Sequence, residues 1–269
     1  MRQLSFALLL AVLLGSFPAK ATEVDLELVL LADASRSIDA AEIRFQRQGY
    51  VEAIASPEVL DAITSGFLGR IAVTYVEWGS ANSQDVVVPW TVVDGAASAA
   101  AFGDALLAAP RNAFGRNAIG NAIAIGQALI EGNDIEGFRK VIDLSADSAS
   151  SFGGLPIPVA REAALAADIV INGLAVLCRE ADCSGRPVGY DLEAAFAERI
   201  IGGPGSFVVS VEGPDQFAEA VRRKLVLEIA DLGGCLACRS MVGPMQDGAG
   251  DPGLVGQGPG LQQQATVRP

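Results

Sequence analysis

Residues 24–32 form a near-continuous apolar run with acidic side chains only at Asp25 and Glu27, near its start. A strand covered on both faces reads this way. Asp39, Ala40, Ala41 and Glu42 then have the spacing of a capping box. Ile43, Tyr50, Val51 and Ile54 follow at helical intervals until Ser56 and Pro57 break the pattern. Residues 70–78 and 85–92 are two further strands, joined by the short polar link 79–84. A link that short makes a hairpin, so the third strand is antiparallel and sits at the edge, where Pro89 is tolerated.

The second half alternates more regularly. Residues 96–109 and 118–131 are Ala-rich helices, 140–146 a strand, 157–167 a helix, 169–177 a strand and 190–201 a helix. Residues 206–211 are the last strand, and 214–231 an amphipathic helix with Phe217, Val221, Leu225 and Ile229 on one face. The alternation predicts an α/β fold: a doubly wound, mostly parallel central sheet with one antiparallel edge strand and helices on both faces, in three layers. In such sheets the binding crevice lies beyond the carboxyl ends of the strands, where strand order reverses.

Two polar loops occupy such strand ends. Asp33, Ser35 and Ser37 follow the first strand, and Asp147 follows the strand at 140–146. A carboxylate and two hydroxyls at alternating positions can face one small hard cation, with Asp147 brought alongside by a neighbouring parallel strand. Each loop also has a plainer reading. Ser37 and Asp39 can cap the helix that follows, and Asp147, Ser148, Ser150 and Ser151 can form a solvated turn.

Composition narrows the partners. Arg2, the apolar stretch 4–14 and the small-residue site Ala19, Lys20, Ala21 read as an export signal, residues 1–21, cleaved after Ala21. The apolar stretch is too short for a membrane span, so a periplasmic or secreted product with no membrane insertion is expected. Loss of Arg2 and Lys20 takes the formal charge from −13 to −15. That charge disfavours nucleic acid and anionic membranes and suits cations or basic partners. Residues 22–231 read as one domain. Residues 232–269, rich in Gly, Pro and Gln, have too few bulky apolar side chains to offset the entropy of ordering and read as a disordered tail, or as one that orders on a partner.

The four cysteines of an exported chain favour disulfides, and the near neighbours are the expected pairs: Cys178 with Cys183, and Cys235 with Cys238. Three connectivities exist, and a redox role for the second pair is the alternative. The chain has no histidine, which excludes Ser-His-Asp and Cys-His catalysis and histidine-ligated metal.

The loops resemble those of the von Willebrand factor type A (vWA) domain, whose metal-ion-dependent adhesion site carries DxSxS after the first strand. Asp33, Ser35 and Ser37 match it. The family adds a threonine before a later helix and an aspartate after its fourth strand; residues 117–123 and Asp147 stand at those places, with Asn117 where the threonine is expected. More narrowly, residues 141–147, 171–174, 201–209, 220–225 and 228–230 resemble a group of exported bacterial vWA-like proteins of uncharacterised function. The resemblance covers residues 24–230. It implies that Ser35 and Ser37 ligate a divalent cation directly, Asp33 and Asp147 directly or through water, and that an open position accepts an acidic residue of a partner protein.

Magnesium is the expected cation. Asn117, with Arg36 and Arg116 nearby, also admits calcium, manganese or an empty site. Asn117 has a second reading as the cap of the helix after it. Asp143, inside a strand, is expected to have a local partner, and Gly202, Gly203 and Gly205 a turn rather than a phosphate loop. Three functions follow: a non-catalytic binding module, a scaffold with a metal-free site, or a metal-dependent hydrolase, for which Glu77 and Asp143 are the nearby candidate bases.

Overall fold

The computed structural model describes residues 21–177 and 189–230 of the chain. The cysteines at 178, 183, 235 and 238, with their expected pairings, the signal up to residue 20 and the tail lie outside the described residues.

Six strands form one sheet: β1 (Thr22–Asp33), β2 (Ile71–Trp78), β3 (Gln84–Val93), β4 (Ile135–Ala146), β5 (Val170–Val176) and β6 (Val208–Val211). Their order is β3-β2-β1-β4-β5-β6. Only the β2–β3 pair is antiparallel, and β3 lies at the edge, as the short link 79–84 demands. Every residue of β1 from Leu26 onward is buried, and so is all of β2, which explains their unbroken apolar character.

Among the described residues seven helices cover the two faces: α1 (Ala40–Ile54), α2 (Pro57–Thr64), α3 (Ala96–Ala108), α4 (Ile119–Glu131), α5 (Ile157–Ala166), α6 (Leu192–Arg199) and α7 (Phe217–Ile229). Tyr50 of α1, Ile63 of α2, Phe102 of α3 and Leu225 of α7 share one core with the even-numbered side chains Leu26 to Leu30 of β1. Ile123 of α4, Ala160 of α5 and Phe196 of α6 share the other with Val29 and Leu31. Alternate residues of one central strand thus feed both cores. Among the described residues no helix is long and apolar enough to cross a membrane.

Three elements differ from the sequence expectation. α1 ends at Ile54, just before the break expected at Ser56 and Pro57, but an unexpected second helix begins at Pro57. That proline occupies the first turn of α2, where its missing amide costs nothing, and Ser56 caps that helix by accepting from the Val59 amide at 3.4 Å. β4 begins at Ile135, because its amino-terminal half pairs with β1 in register, from Thr22 opposite Ile135 to Glu27 opposite Lys140, while lying at half-buried and exposed positions. The final helix is shorter than 214–231, with a 3-10 turn at Pro214–Gln216 before α7. The glycine segment is the expected turn, with Gly203 and Gly205 at φ 94° and 75°.

The strand order reverses between β1 and β4: from β1 the chain winds outward to β2 and β3, and from β4 to β5 and β6. Asp33 closes β1 and Asp147 follows β4, so the two carboxylates flank that reversal.

Candidate metal centre

The chain leaves the sheet at Asp33, whose register partner is Trp78, and the Ala34 amide donates to Trp78 O at 2.8 Å. The loop then folds back on its own carboxylate. The Ser35 amide donates to Asp33 Oδ1 at 2.7 Å, and Ser35 Oγ lies 3.3 Å from Ser37 Oγ. Ser37 hydrogen-bonds the Asp147 carboxylate. Four of the five expected donors are therefore assembled from two strand ends.

Asn117, the fifth, is buried in the loop before α4. That loop is tied to the others: the Arg36 amide donates to Gly115 O at 2.7 Å, and the Phe152 amide donates to Asn117 O. The cap reading of Asn117 is overturned. Ala118 is the residue that precedes α4, and no side chain caps that helix. Asn117 Oδ1 has no hydrogen-bond partner, and neither has the buried Asp33 Oδ2.

The cap of α1 is Asp39, whose Oδ1 accepts from the Ala41 and Glu42 amides at 2.7 and 2.9 Å, while Glu42 Oε2 accepts from the Asp39 amide at 3.0 Å. Ser37 is therefore not used as a cap. Ile38 and Ile43, on either side of the box, are buried together with Ala34 and Ala113 as a small staple beneath the loop.

Arg111 was not singled out by any sequence pattern, yet it anchors the loop from the far side. Its Nη2 donates to Ala34 O at 2.8 Å, Ile38 O at 2.9 Å and Ser35 O at 3.4 Å. Tyr190, also missed, accepts from the Ala149 amide at 3.1 Å through its hydroxyl and so holds the segment after Asp147. The α4 start packs as closely as only glycine allows: a Cβ on Gly120 would lie 2.0 Å from Leu155 O.

Burial first, and the nearby Asp147 charge second, push the Asp33 carboxyl up to about 7 against the opposing hydrogen bonds from Ser35 and the Asp147 backbone. Asp147 is raised too, by burial first, against its hydrogen bond from Ser37. Two carboxyls that resist ionisation thus lie close enough for one to raise the other. Arg36 and Arg116 are exposed, and the Arg116 guanidinium lies 4.2 Å from the Phe152 ring centroid. Among the described residues no cluster of three or more Asp, Glu, His or Cys forms. The candidate centre depends on hydroxyl and amide oxygens beside its two carboxylates.

The two candidate bases are committed elsewhere. Glu77 Oε1 is 2.7 Å from Arg47 Nε, and Asp143 Oδ1 is 2.8 Å from Lys224 Nζ, all four side chains being buried.

Sheet order and helix placement are those of a vWA-like fold, and similarity to known structures agrees. Proximal thread matrix protein 1 from the mussel byssus superposes with a TM-score of 0.54 at 16% identity, over 79% of this chain and 49% of that one. Its zinc-occupied form, described with zinc in a MIDAS motif, gives 0.54 at 17% identity over the same shares. A von Willebrand factor type A protein from Catenulispora acidiphila gives 0.52 at 16% identity, over 77% and 43%. The chain spans about half the length of these structures. No curated protein matches it in sequence. The chain belongs to DUF1194, described as a protein family of unknown function, whose model matches residues 23–233.

Proposed function

We propose that this chain is an exported, non-catalytic binding module that engages a protein partner through a divalent cation held by Asp33, Ser35, Ser37, Asn117 and Asp147. The observation that carries the reading is the pair of buried, unpartnered oxygens, Asp33 Oδ2 and Asn117 Oδ1, on loops that hydrogen-bond one another. Each such oxygen costs about 1–3 kcal/mol when left unsatisfied. A hard cation offsets that cost, and an all-oxygen donor set with two carboxylates suits magnesium, calcium or manganese. When bound, the cation supplies a Lewis-acidic position for the carboxylate of a partner.

The residues divide the remaining work. Ser35 and Ser37 contribute neutral oxygens, so the cation keeps attraction for an incoming acid. Asp33 and Asp147 would ligate as carboxylates, the cation displacing to solvent the proton that burial favours on Asp33. Asn117 brings a longer, amide donor where the related motif has a hydroxyl. The zinc-occupied motif of the mussel byssus protein supports the reading. So do the ion pairs that occupy Glu77 and Asp143, because a hydrolase needs a free base.

Calorimetric titration with magnesium, calcium and manganese tests it. Binding in the micromolar to millimolar range, lost in Asp33→Ala while the melting transition persists, is expected. Absence of binding for all three cations would leave a metal-free scaffold.

A further inference from the structure

Three large aromatics are left half-exposed around the loops that carry the donors: Phe114 at 54%, Phe152 at 49% and Tyr190 at 43% exposure. Each is tied to the site. Phe114 precedes Gly115, which accepts from the Arg36 amide. Phe152 donates its own amide to Asn117 O, and Tyr190 holds Ala149, two residues past Asp147. Exposed apolar side chains gathered at one place, rather than scattered, mark a contact surface.

Cations accompany two of the rings. The Arg111 guanidinium lies 5.0 Å from the Phe114 centroid and that of Arg116 4.2 Å from the Phe152 centroid. Arg36 is exposed between the two ligand serines. The acidic neighbours are engaged locally: Asp39 and Glu42 in the capping box, and Asp85 with the Asn112 amide at 3.0 Å. On a chain of net charge −13, Arg36, Arg111 and Arg116 thus place guanidinium groups around the donors, beside the capping-box carboxylates Asp39 and Glu42.

Resting on the metal-site reading, we propose that this rim selects a protein segment with two carboxylates and an adjacent apolar side chain. One carboxylate takes the cation, the second pairs with Arg36 and Arg116, and the apolar group packs against Phe114 and Phe152. The arginines cover one face of each phenylalanine, which leaves less open ring for the stacking that a sugar needs and favours a peptide over an acidic polysaccharide.

The test uses two blocked pentapeptides, one with a single aspartate among glycines, the other with phenylalanine and glutamate flanking the aspartate. Binding is read by fluorescence anisotropy at saturating manganese, with alginate as the polysaccharide probe. The second peptide is expected to bind roughly tenfold more tightly, the scale of two exposed ion pairs plus a small apolar contact. The double variant Arg36→Gln, Arg116→Gln is expected to remove that advantage while the manganese affinity, read by calorimetry, is kept or rises, since two positive charges near the cation are gone. Equal affinity for the two peptides, an advantage that survives in the double variant, or tighter binding of alginate than of either peptide would overturn the proposal. Failure of manganese itself to bind overturns the metal-site reading instead, and the calorimeter tells the two failures apart.

Discussion

Lys224 of α7 and Asp143 of β4 form an ion pair 2.8 Å long, with both side chains buried. The same ammonium contacts Glu228 one turn further along α7, and Asn172 of β5 donates to Glu228 Oε1 at 3.0 Å. One cation thus serves two buried carboxylates and ties α7 to the middle of the sheet. Lys224→Met leaves both carboxylates uncompensated and is expected to cost about 3–5 kcal/mol in urea unfolding. Adding Asp143→Leu to that variant should recover part of the loss, since Glu228 keeps only the Asn172 amide. A single variant as stable as the parent would remove the ion pair from the account.

The pH dependence has a definite sign. Burial holds Asp143 at about 7 despite the attraction of Lys224, and it holds Asp33 at about 7 as well. Both folded values lie above the unfolded one, so the stability these groups contribute is present below about pH 4 and is lost as pH rises through 7. Asp39, lowered by its cap hydrogen bonds, acts oppositely and only at more acid pH. The metal-free protein should show a higher urea midpoint at pH 5 than at pH 8. Cation affinity should run the other way, rising about tenfold per unit up to pH 7 and flattening beyond, because the ion displaces the Asp33 proton.

Asn117 separates cap from ligand. A helix cap replaced by alanine loses about 1 kcal/mol. Asn117 caps nothing and its Oδ1 is unpartnered. Asn117→Ala should therefore leave the metal-free melting temperature nearly unchanged while weakening cation binding in the calorimeter, and Asn117→Thr should keep binding. A clear stability loss in the metal-free alanine variant would return this residue to a structural role.

Arg111 offers the complementary case, a residue that touches none of the proposed donor atoms, only backbone carbonyls of the loop. Arg111→Met removes the hydrogen bonds to Ala34, Ser35 and Ile38 while keeping much of the side-chain volume. We expect a loss of about 1–3 kcal/mol in urea unfolding and weaker cation binding, since the serine hydroxyls would no longer be held in place. Unchanged affinity would show that the capping box and the Ile38–Ile43 contact suffice.

The strands were legible because burial writes itself into hydrophobicity: β1 and β2 lie between two helical layers, and their residues say so. The hairpin was legible from the length of one link. The missed elements share a physical cause, which is that their stabilisation is not local. The amino-terminal half of β4 alternates weakly and is a strand only because β1 lies beside it, and Pro57 reads as a breaker until Ser56 is seen capping the helix it starts. At the site, Asp33, Ser35, Ser37 and Asp147 were readable from their positions after strands. Arg111 and Tyr190 were not, since each acts on backbone atoms distant in sequence, and Asn117 carried two readings, ligand and cap, because its neighbourhood in sequence is a helix start.

The reversal of strand order between β1 and β4 has a kinetic consequence. Asp33 and Asp147 meet only after the chain has travelled out through β2, β3 and the helices up to α4 and returned to pair β4 with β1. No local fragment contains the donor set, and long-range parallel pairing of this sort forms late and slowly. A cation held there is a ligand of the finished fold alone. At a hundredfold excess over its dissociation constant it adds about 2.7 kcal/mol by mass action. That gain should lengthen the lifetime of the folded state and leave the rate of folding untouched.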